Sequence, residues 1–376
     1  MPPGRFDRPR IALLTPGFSA SEGDWCIPAL LDLVRVLARE TDLTVIPLRY
    51  PHHREPYRVH GARVLPLGGA ESAGLARLPI LWRAVRTLQR ESRERPFDVV
   101  HAFFSHEPGF AGALFRQRTG TPLVVSVFGG ELVHLPHIDY GGHRGLNRRL
   151  SAQALAAADH VTVGSEFLRQ TVAQYVPPER LSVRPFAVDA ERFHPDAPLG
   201  TPLAGRPRLL QVASLIPVKN PLTLLRTLPR LRRLHPDVHL HLAGAGSLQP
   251  QLAAEANDLG VEAHLTLHGE VPHHQLPGFY RQADLLVQTS WFESQGMAVL
   301  EAMACSCPVV GTSVGVLPEL VPSEDLTPPT DRDPGVLTAL ILRALRTRQA
   351  APPLPPRFRL ESSVQGWLRL YSSLRR

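Results

Sequence analysis

The 376 residues exceed what one typical hydrophobic core organises, and with 43% hydrophobic and 20% charged residues the composition excludes a disordered chain and points to two domains. No run of eighteen apolar residues occurs and the first nine residues lack an apolar core. A membrane-spanning helix and a secretory leader are therefore not expected, and a cytoplasmic protein is expected. The net charge of +7 favours anionic partners, but the arginines are scattered without aromatic interleaving. No nucleic acid is expected, whereas peripheral contact with the inner face of an anionic membrane fits the charge.

Residues 10–15, Arg-Ile-Ala-Leu-Leu-Thr, read as a strand, followed by Pro16, Gly17 and a small polar loop to Gly23. Residues 27–37 have the spacing of an amphipathic helix. Further strands are expected at 43–48, 62–66, 98–103, 122–127 and 160–163, with helices at 75–94, 110–118, 146–158 and 166–175. This alternation implies an α/β fold with a parallel, doubly wound sheet, whose ligands bind beyond the carboxyl ends of the strands. The loop from Gly17 to Gly23 occupies such a place, although an ordinary strand-to-helix turn would look the same. After the fifth strand come Phe128-Gly129-Gly130-Glu131.

Residues 195–207, rich in Pro and Gly, read as a linker between domains at 1–190 and 205–356. A second alternation opens with a strand at 208–213, then Ser214 to Asn220, then a helix at 221–234 headed by Pro221. Lys219 thus precedes a helix N-terminus, where its ammonium could meet a diphosphate or simply be solvated. The strand at 238–243 places His239 and His241 on one face, a spacing that a metal could use but that more often marks an exposed strand face. It leads into Gly244-Ala245-Gly246, which is no dinucleotide fingerprint because Gln249 stands where a third glycine would be. Strands at 263–268 and 284–288 follow, with Gly269-Glu270-Val271 between them. Cys26, Cys305 and Cys307 are too few for a disulfide framework and are expected as buried free thiols.

From Ser290 the chain reads Ser-Trp-Phe-Glu-Ser-Gln-Gly-Met-Ala-Val-Leu-Glu-Ala-Met-Ala-Cys-Ser-Cys-Pro-Val-Val-Gly. A largely buried helix should start near Gly296 and end before Pro308. Glu301 is the lone acid in that apolar run, and an unpaired buried carboxylate costs several kcal/mol, roughly, so it needs hydrogen-bond donors. Glu293 lies before the helix. Free N–H groups at Gly296, Met297 and Ala298 would face an anion such as phosphate. A sugar nucleotide suits this arrangement, its hydroxyls meeting carboxylates and its diphosphate meeting N–H donors. The alternative is that Glu293 only caps the helix and Glu301 reaches solvent. Asp331-Arg332-Asp333 has the spacing of a metal clamp but lies in a Pro-rich loop, and no metal or other cofactor is expected. A last helix is expected over 358–376, with Val364, Trp367, Leu368, Tyr371 and Leu374 near helical spacing.

Glu293 and Glu301, as Glu-x7-Glu within Ser-x-x-Glu-x-x-Gly, with Glu-Ala-Met-Ala-Cys and Cys-Pro-Val-Val-Gly after them, resemble the family 4 glycosyltransferases, retaining enzymes of the GT-B fold. The resemblance implies two Rossmann-like domains facing across a cleft, the last helix crossing back to the first domain. It implies that Glu293 contacts the donor sugar near the reacting carbon and that Glu301 binds the ribose. Gly296, Met297 and Ala298 would hold sugar and phosphate oxygens, and Lys219 the donor phosphates. Ser214 stands where many members have Arg, Gly246 lies in the turn that approaches the nucleotide, and Ser290 opens the motif. In the first domain, Gly17, Gly23 and Glu131 fall where relatives place groups facing phosphate or acceptor, while Phe128 replaces a histidine found in many of them. The implied activity is transfer of a sugar from a nucleotide-sugar donor to an acceptor hydroxyl, the acceptor being a glycan, a small molecule or a lipid-linked molecule. A sugar-nucleotide epimerase or hydrolase, or a protein that binds a nucleotide-sugar without transfer, are the alternatives.

Overall fold

The computed structural model describes residues 8–24, 26–69, 74–330, 333–347 and 351–375. The chain forms two compact units, Met1–Ala187 with Leu360–Arg376, and Val188–Arg359. In the first unit the elements run β1 (Arg10–Gly17), α1 (Pro28–Glu40), β2 (Asp42–Tyr50), β3 (Tyr57–Val59), β4 (Ala62–Val64), α2 (Leu78–Glu94), β5 (Val99–Phe103), α3 (Glu107–Thr119), β6 (Leu123–Val127), α4 (Gly145–Ala157), β7 (His160–Val163), α5 (Glu166–Val172) and β8 (Leu181–Val183). The sheet order is β3-β4-β2-β1-β5-β6-β7-β8, parallel except for the β3–β4 hairpin. Ile11 pairs with Leu43 on one side and Val99 on the other, and Ile11 to Leu14 are fully buried. Helices cover both faces of such strands, which is why they read as unbroken apolar runs.

The second unit holds β9 (Arg208–Val212), α6 (Pro221–Leu225), α7 (Leu228–Leu234), β10 (His239–Ala243), α8 (Gln249–Asp258), β11 (Leu265–Gly269), α9 (Leu276–Gln282), β12 (Leu285–Gln288), α10 (Met297–Ala304), β13 (Val309–Thr312), α11 (Leu317–Leu320), β14 (Leu326–Thr327) and α12 (Pro334–Thr347). Its all-parallel sheet has the order β11-β10-β9-β12-β13-β14. Among the described residues no helix is long and apolar enough to cross a membrane.

Several expectations are corrected. The helix at 221–234 is broken into α6 and α7, because Pro229 has no N–H for Leu225 and its ring crowds the carbonyl there. Strands β3 and β8, three residues each, are too short to display a period of two and were not expected. Residues 195–207 belong to the second unit: Gln282 holds the carbonyls of Leu199 and Thr201 and accepts from the Leu203 N–H. His239 and His241 do not form an exposed face. His241 is buried between His268 and the Ala204 carbonyl, and His239 bonds Thr266. Among the described residues no cluster of three or more His, Cys, Asp or Glu could hold a metal ion. Asp331 lies outside the described residues, while Asp333 accepts from the Gly335 N–H. Cys305 and Cys307 are buried, whereas Cys26 is exposed.

The final helix, α13 (Leu360–Leu374), packs in the first unit against α1. Trp367 is fully buried, its ring 4.9 Å from that of His101, and the Tyr371 hydroxyl is 2.7 Å from His101 Nδ1. Ser363 donates to the Pro185 carbonyl. Burial pushes His101 down to about 3, so the ring is neutral and bonds Ser126 through Nε2. Trp367→Ala should destabilise the first unit by about 3–5 kcal/mol, read from chemical denaturation followed by circular dichroism.

Candidate functional site

In the second unit the chain leaves β9 toward β10 and β11, then crosses back to β12 on the other side. At such a switch point the loops beyond the two carboxyl ends diverge and leave a crevice. A cavity of about 220 Å³ occupies it, reached by Gln211 to Ser214 from β9 and Leu286 to Gln288 from β12. Lys219, Ser290, Glu293, Gly296, Met297 and Ala298 close the remaining sides.

Lys219 ends a short 3-10 turn over residues 217–219. Its carbonyl is held by Gln211 Nε2 and Thr289 Oγ1, both at 3.0 Å, so the turn is fixed to the ends of both central strands. The side chain crosses the cavity. Its ammonium lies 2.6 Å from Glu293 Oε1, and the Ser290 hydroxyl donates to the same oxygen at 2.7 Å. The loop carrying Glu293 is anchored where it begins: the Trp291 N–H donates to the Val218 carbonyl, and the Thr312 hydroxyl to that of Ser290.

Gly296 takes φ +91°, a conformation that side chains with a Cβ rarely adopt, and there the loop turns into α10. The first N–H groups of a helix have no intrahelical acceptor, and those of Met297 and Ala298 stand at the cavity wall. Six of the eight residues of α10 are Met, Ala, Val or Leu facing the core, so the helix mouth is set by packing behind it.

Glu301, one and a half turns further on, is 5% exposed and does not line the cavity. The donors it requires come from the chain itself. Tyr280 donates its hydroxyl to Oε2 at 2.7 Å and His273 Nε2 stands 2.9 Å from Oε1. Burial and the neighbouring carboxylate push the Tyr280 phenol well up, which keeps it protonated as a donor.

The structure therefore brings Ser214, Lys219, Ser290, Glu293, Gly296, Met297 and Ala298 together around one cavity. Gly246 stands apart from its lining: a Cβ there would collide with the Leu215 backbone, so the glycine serves close packing of two turns. Gln211 and Gln288 line the cavity and were not anticipated. Gln288 ends β12 and Gln211 is the last residue but one of β9, each a polar residue in an apolar strand near the carboxyl edge of the sheet, a signal easily taken for a strand boundary.

Gly17, Gly23 and Glu131 belong to the first unit. Gly17 ends β1 opposite Tyr50, and the loop after it is tied by Asp24, which accepts from the Ala20 N–H and the Tyr50 hydroxyl. A Cβ at Gly23 would meet only the Ser21 hydroxyl, at 4.0 Å. Phe128 is 8% exposed and packs on Phe186 and Phe103, so an aromatic core takes up the position. Glu131 is 3% exposed: Oε1 accepts from the Ser105 N–H, and Oε2 has no partner.

The sequence pattern described as Glycosyl transferases group 1 matches residues 201–351, and that described as Glycosyltransferase Family 4 matches residues 29–192. The D-inositol 3-phosphate glycosyltransferase of Acidothermus cellulolyticus is 30% identical over 312 residues, 76% of this chain and 69% of that protein. The GDP-mannose-dependent alpha-(1-6)-phosphatidylinositol monomannoside mannosyltransferase of Mycolicibacterium smegmatis is 34% identical over 178 residues, 44% of this chain. That match spans 47% of the mannosyltransferase, about half its length. Among solved structures, Anabaena HepE in complex with UDP and glucose is similar with a TM-score of 0.74 and 20% identity, over 97% of this chain and 100% of that one.

Burial pushes the Glu131 carboxyl up to about 7 from 4.5, although N–H groups from its own residue, Ser105, Gly129 and Phe128 favour the charged form. Between those two values the folded chain keeps a proton that the unfolded chain releases, so stability falls as pH rises through the window. Glu131→Gln should flatten that decline and melt several degrees higher than the parent above pH 7, read by differential scanning calorimetry from pH 4.5 to 8.

Proposed function

The chain belongs to the family 4 glycosyltransferases, and from that membership we propose that it is a hexosyltransferase, moving a sugar from a nucleotide-sugar to an acceptor hydroxyl with retention of configuration. The convergence of Lys219, Glu293 and the α10 N–H groups on one cavity at the sheet's switch point carries this reading. The second unit binds the donor, and the first presents the acceptor through the loop after β1 and the region of Glu131. The diphosphate meets the Lys219 ammonium and the N–H groups of Gly296, Met297 and Ala298. Glu293 orients the sugar and Glu301, steadied by His273 and Tyr280, takes the ribose. Gly246 approaches the nucleotide through its backbone.

In the transfer, the bond from the anomeric carbon to the leaving phosphate oxygen breaks and a bond to the acceptor oxygen forms on the same face. The acceptor's proton passes to the leaving phosphate oxygen, giving a glycoside and a nucleoside diphosphate. Lys219 and the helix N-terminus stabilise the charge that develops on the phosphate, so no metal takes part. Relatives named for inositol phosphate and phosphatidylinositol mannoside support a polyol or glycolipid as acceptor. A lipid-linked acceptor at an anionic membrane suits α2, where exposed Leu78 and Trp82 adjoin Arg86, Arg90 and Arg93.

Binding of uridine, guanosine and adenosine sugar nucleotides, followed by calorimetry, identifies the donor; binding of none would overturn the proposal. With that donor, Glu293→Ala should lower turnover about a hundredfold while the nucleoside diphosphate still binds. Glu301→Gln should raise the donor dissociation constant roughly tenfold or more. EDTA should leave turnover unchanged. A second reading, donor binding without transfer, draws support from Phe128 packed away in the aromatic core. Tight donor binding with no product against a broad acceptor panel would select it.

A further inference from the structure

Among the described residues the cavity lining holds one cation, Lys219, and one carboxylate, Glu293, and the two are bonded to each other. An entering diphosphate therefore meets a site whose positive charge is already spoken for. Side chains, not backbone, must rearrange: the Lys219 carbonyl is clamped by Gln211 and Thr289, and the Glu293 loop by Val218 and Thr312. A lysine side chain is long and carries three donors, so its ammonium can turn to a phosphate while its backbone stays fixed. Glu293 would then lose one of the two donors on Oε1 and keep the other, the Ser290 hydroxyl.

We propose that the Lys219–Glu293 ion pair is a latch that the donor's diphosphate opens, and that Ser290 is the positioning residue holding the Glu293 carboxylate in place once Lys219 has turned away. The inference rests on the donor reading of the cavity. A complete sugar nucleotide replaces what it breaks, because sugar hydroxyls donate to the freed carboxylate. A free nucleoside diphosphate does not, and so it binds the parent protein against the full cost of parting the pair. Removing the charge of Glu293 should then improve nucleoside diphosphate binding while destroying transfer, an outcome that a Glu293 serving only to bind substrate does not produce.

Calorimetry with UDP, GDP and ADP on the parent, Glu293→Gln, Lys219→Met and Ser290→Ala tests this. The nucleoside diphosphate that binds the parent should bind Glu293→Gln roughly fivefold or more tightly and Lys219→Met about tenfold more weakly. In turnover with the matching sugar nucleotide, Ser290→Ala should lower kcat about tenfold with little change in KM, and Ser290→Thr should restore it. Thermal melts matching the parent's exclude loss of fold as the cause. Equal or weaker binding by Glu293→Gln overturns the latch while leaving the donor site in place. Failure of all three diphosphates to bind the parent overturns the donor reading and the latch with it. A Ser290→Ala enzyme with parental kcat removes the positioning role.

Discussion

Strands β9 and β12 lie side by side in the second sheet, but the connections from their carboxyl ends run to opposite sides. No side chain from a crossing helix can fill the gap that this divergence leaves, and every group at the cavity is there because of it. The turn holding Lys219 follows β9, the loop holding Glu293 follows β12, and Gln211 with Thr289 stitches the two together. The mouth of α10 opens into the same space because Gly296 permits a sharp change of direction immediately before the helix. Lys219 meets the Ser290 hydroxyl, Glu293 and the α10 N–H donors as a result of chain path rather than of proximity in sequence.

Three buried ionisable groups solve the desolvation problem differently. Glu301 has a donor on each oxygen, both from α9 and the turn before it, so its hydrogen-bonding demand is met inside apolar surroundings. His101 is neutralised and bonded at both ring nitrogens, which ties α13 to the first sheet. Glu131 is buried with Oε2 lacking a hydrogen-bond partner, and burial raises its affinity for a proton toward neutrality. Complete satisfaction makes a group structural and stable; partial satisfaction leaves it responsive to its surroundings.

The alternation of strands and helices was readable because the buried parallel strands are continuous apolar runs bounded by Gly, Pro and Asp, as at residues 10–17 and 99–103. The placement of Glu293 and Lys219 was readable too, each a lone charge just before a helix. The partners of Glu301 were not, since His273 and Tyr280 stand 28 and 21 residues away and only the docking of α9 on α10 brings them in. Gln211 and Gln288 were overlooked because one polar residue near the end of an apolar strand has the same appearance whether it faces solvent or a cavity. The break between α6 and α7 was legible in principle, as Pro229 forbids a continuous helix, but the apolar spacing on either side concealed it.

The first unit is discontinuous in sequence, since α13 joins it only after the whole of Val188–Arg359 has intervened. A ribosome delivering this chain thus completes the second unit first, as one uninterrupted piece, while the aromatic pocket around His101 waits for Trp367 and Tyr371. During synthesis the earlier-made sheet must tolerate an open flank, and its closure is timed by the arrival of α13 rather than by its own emergence.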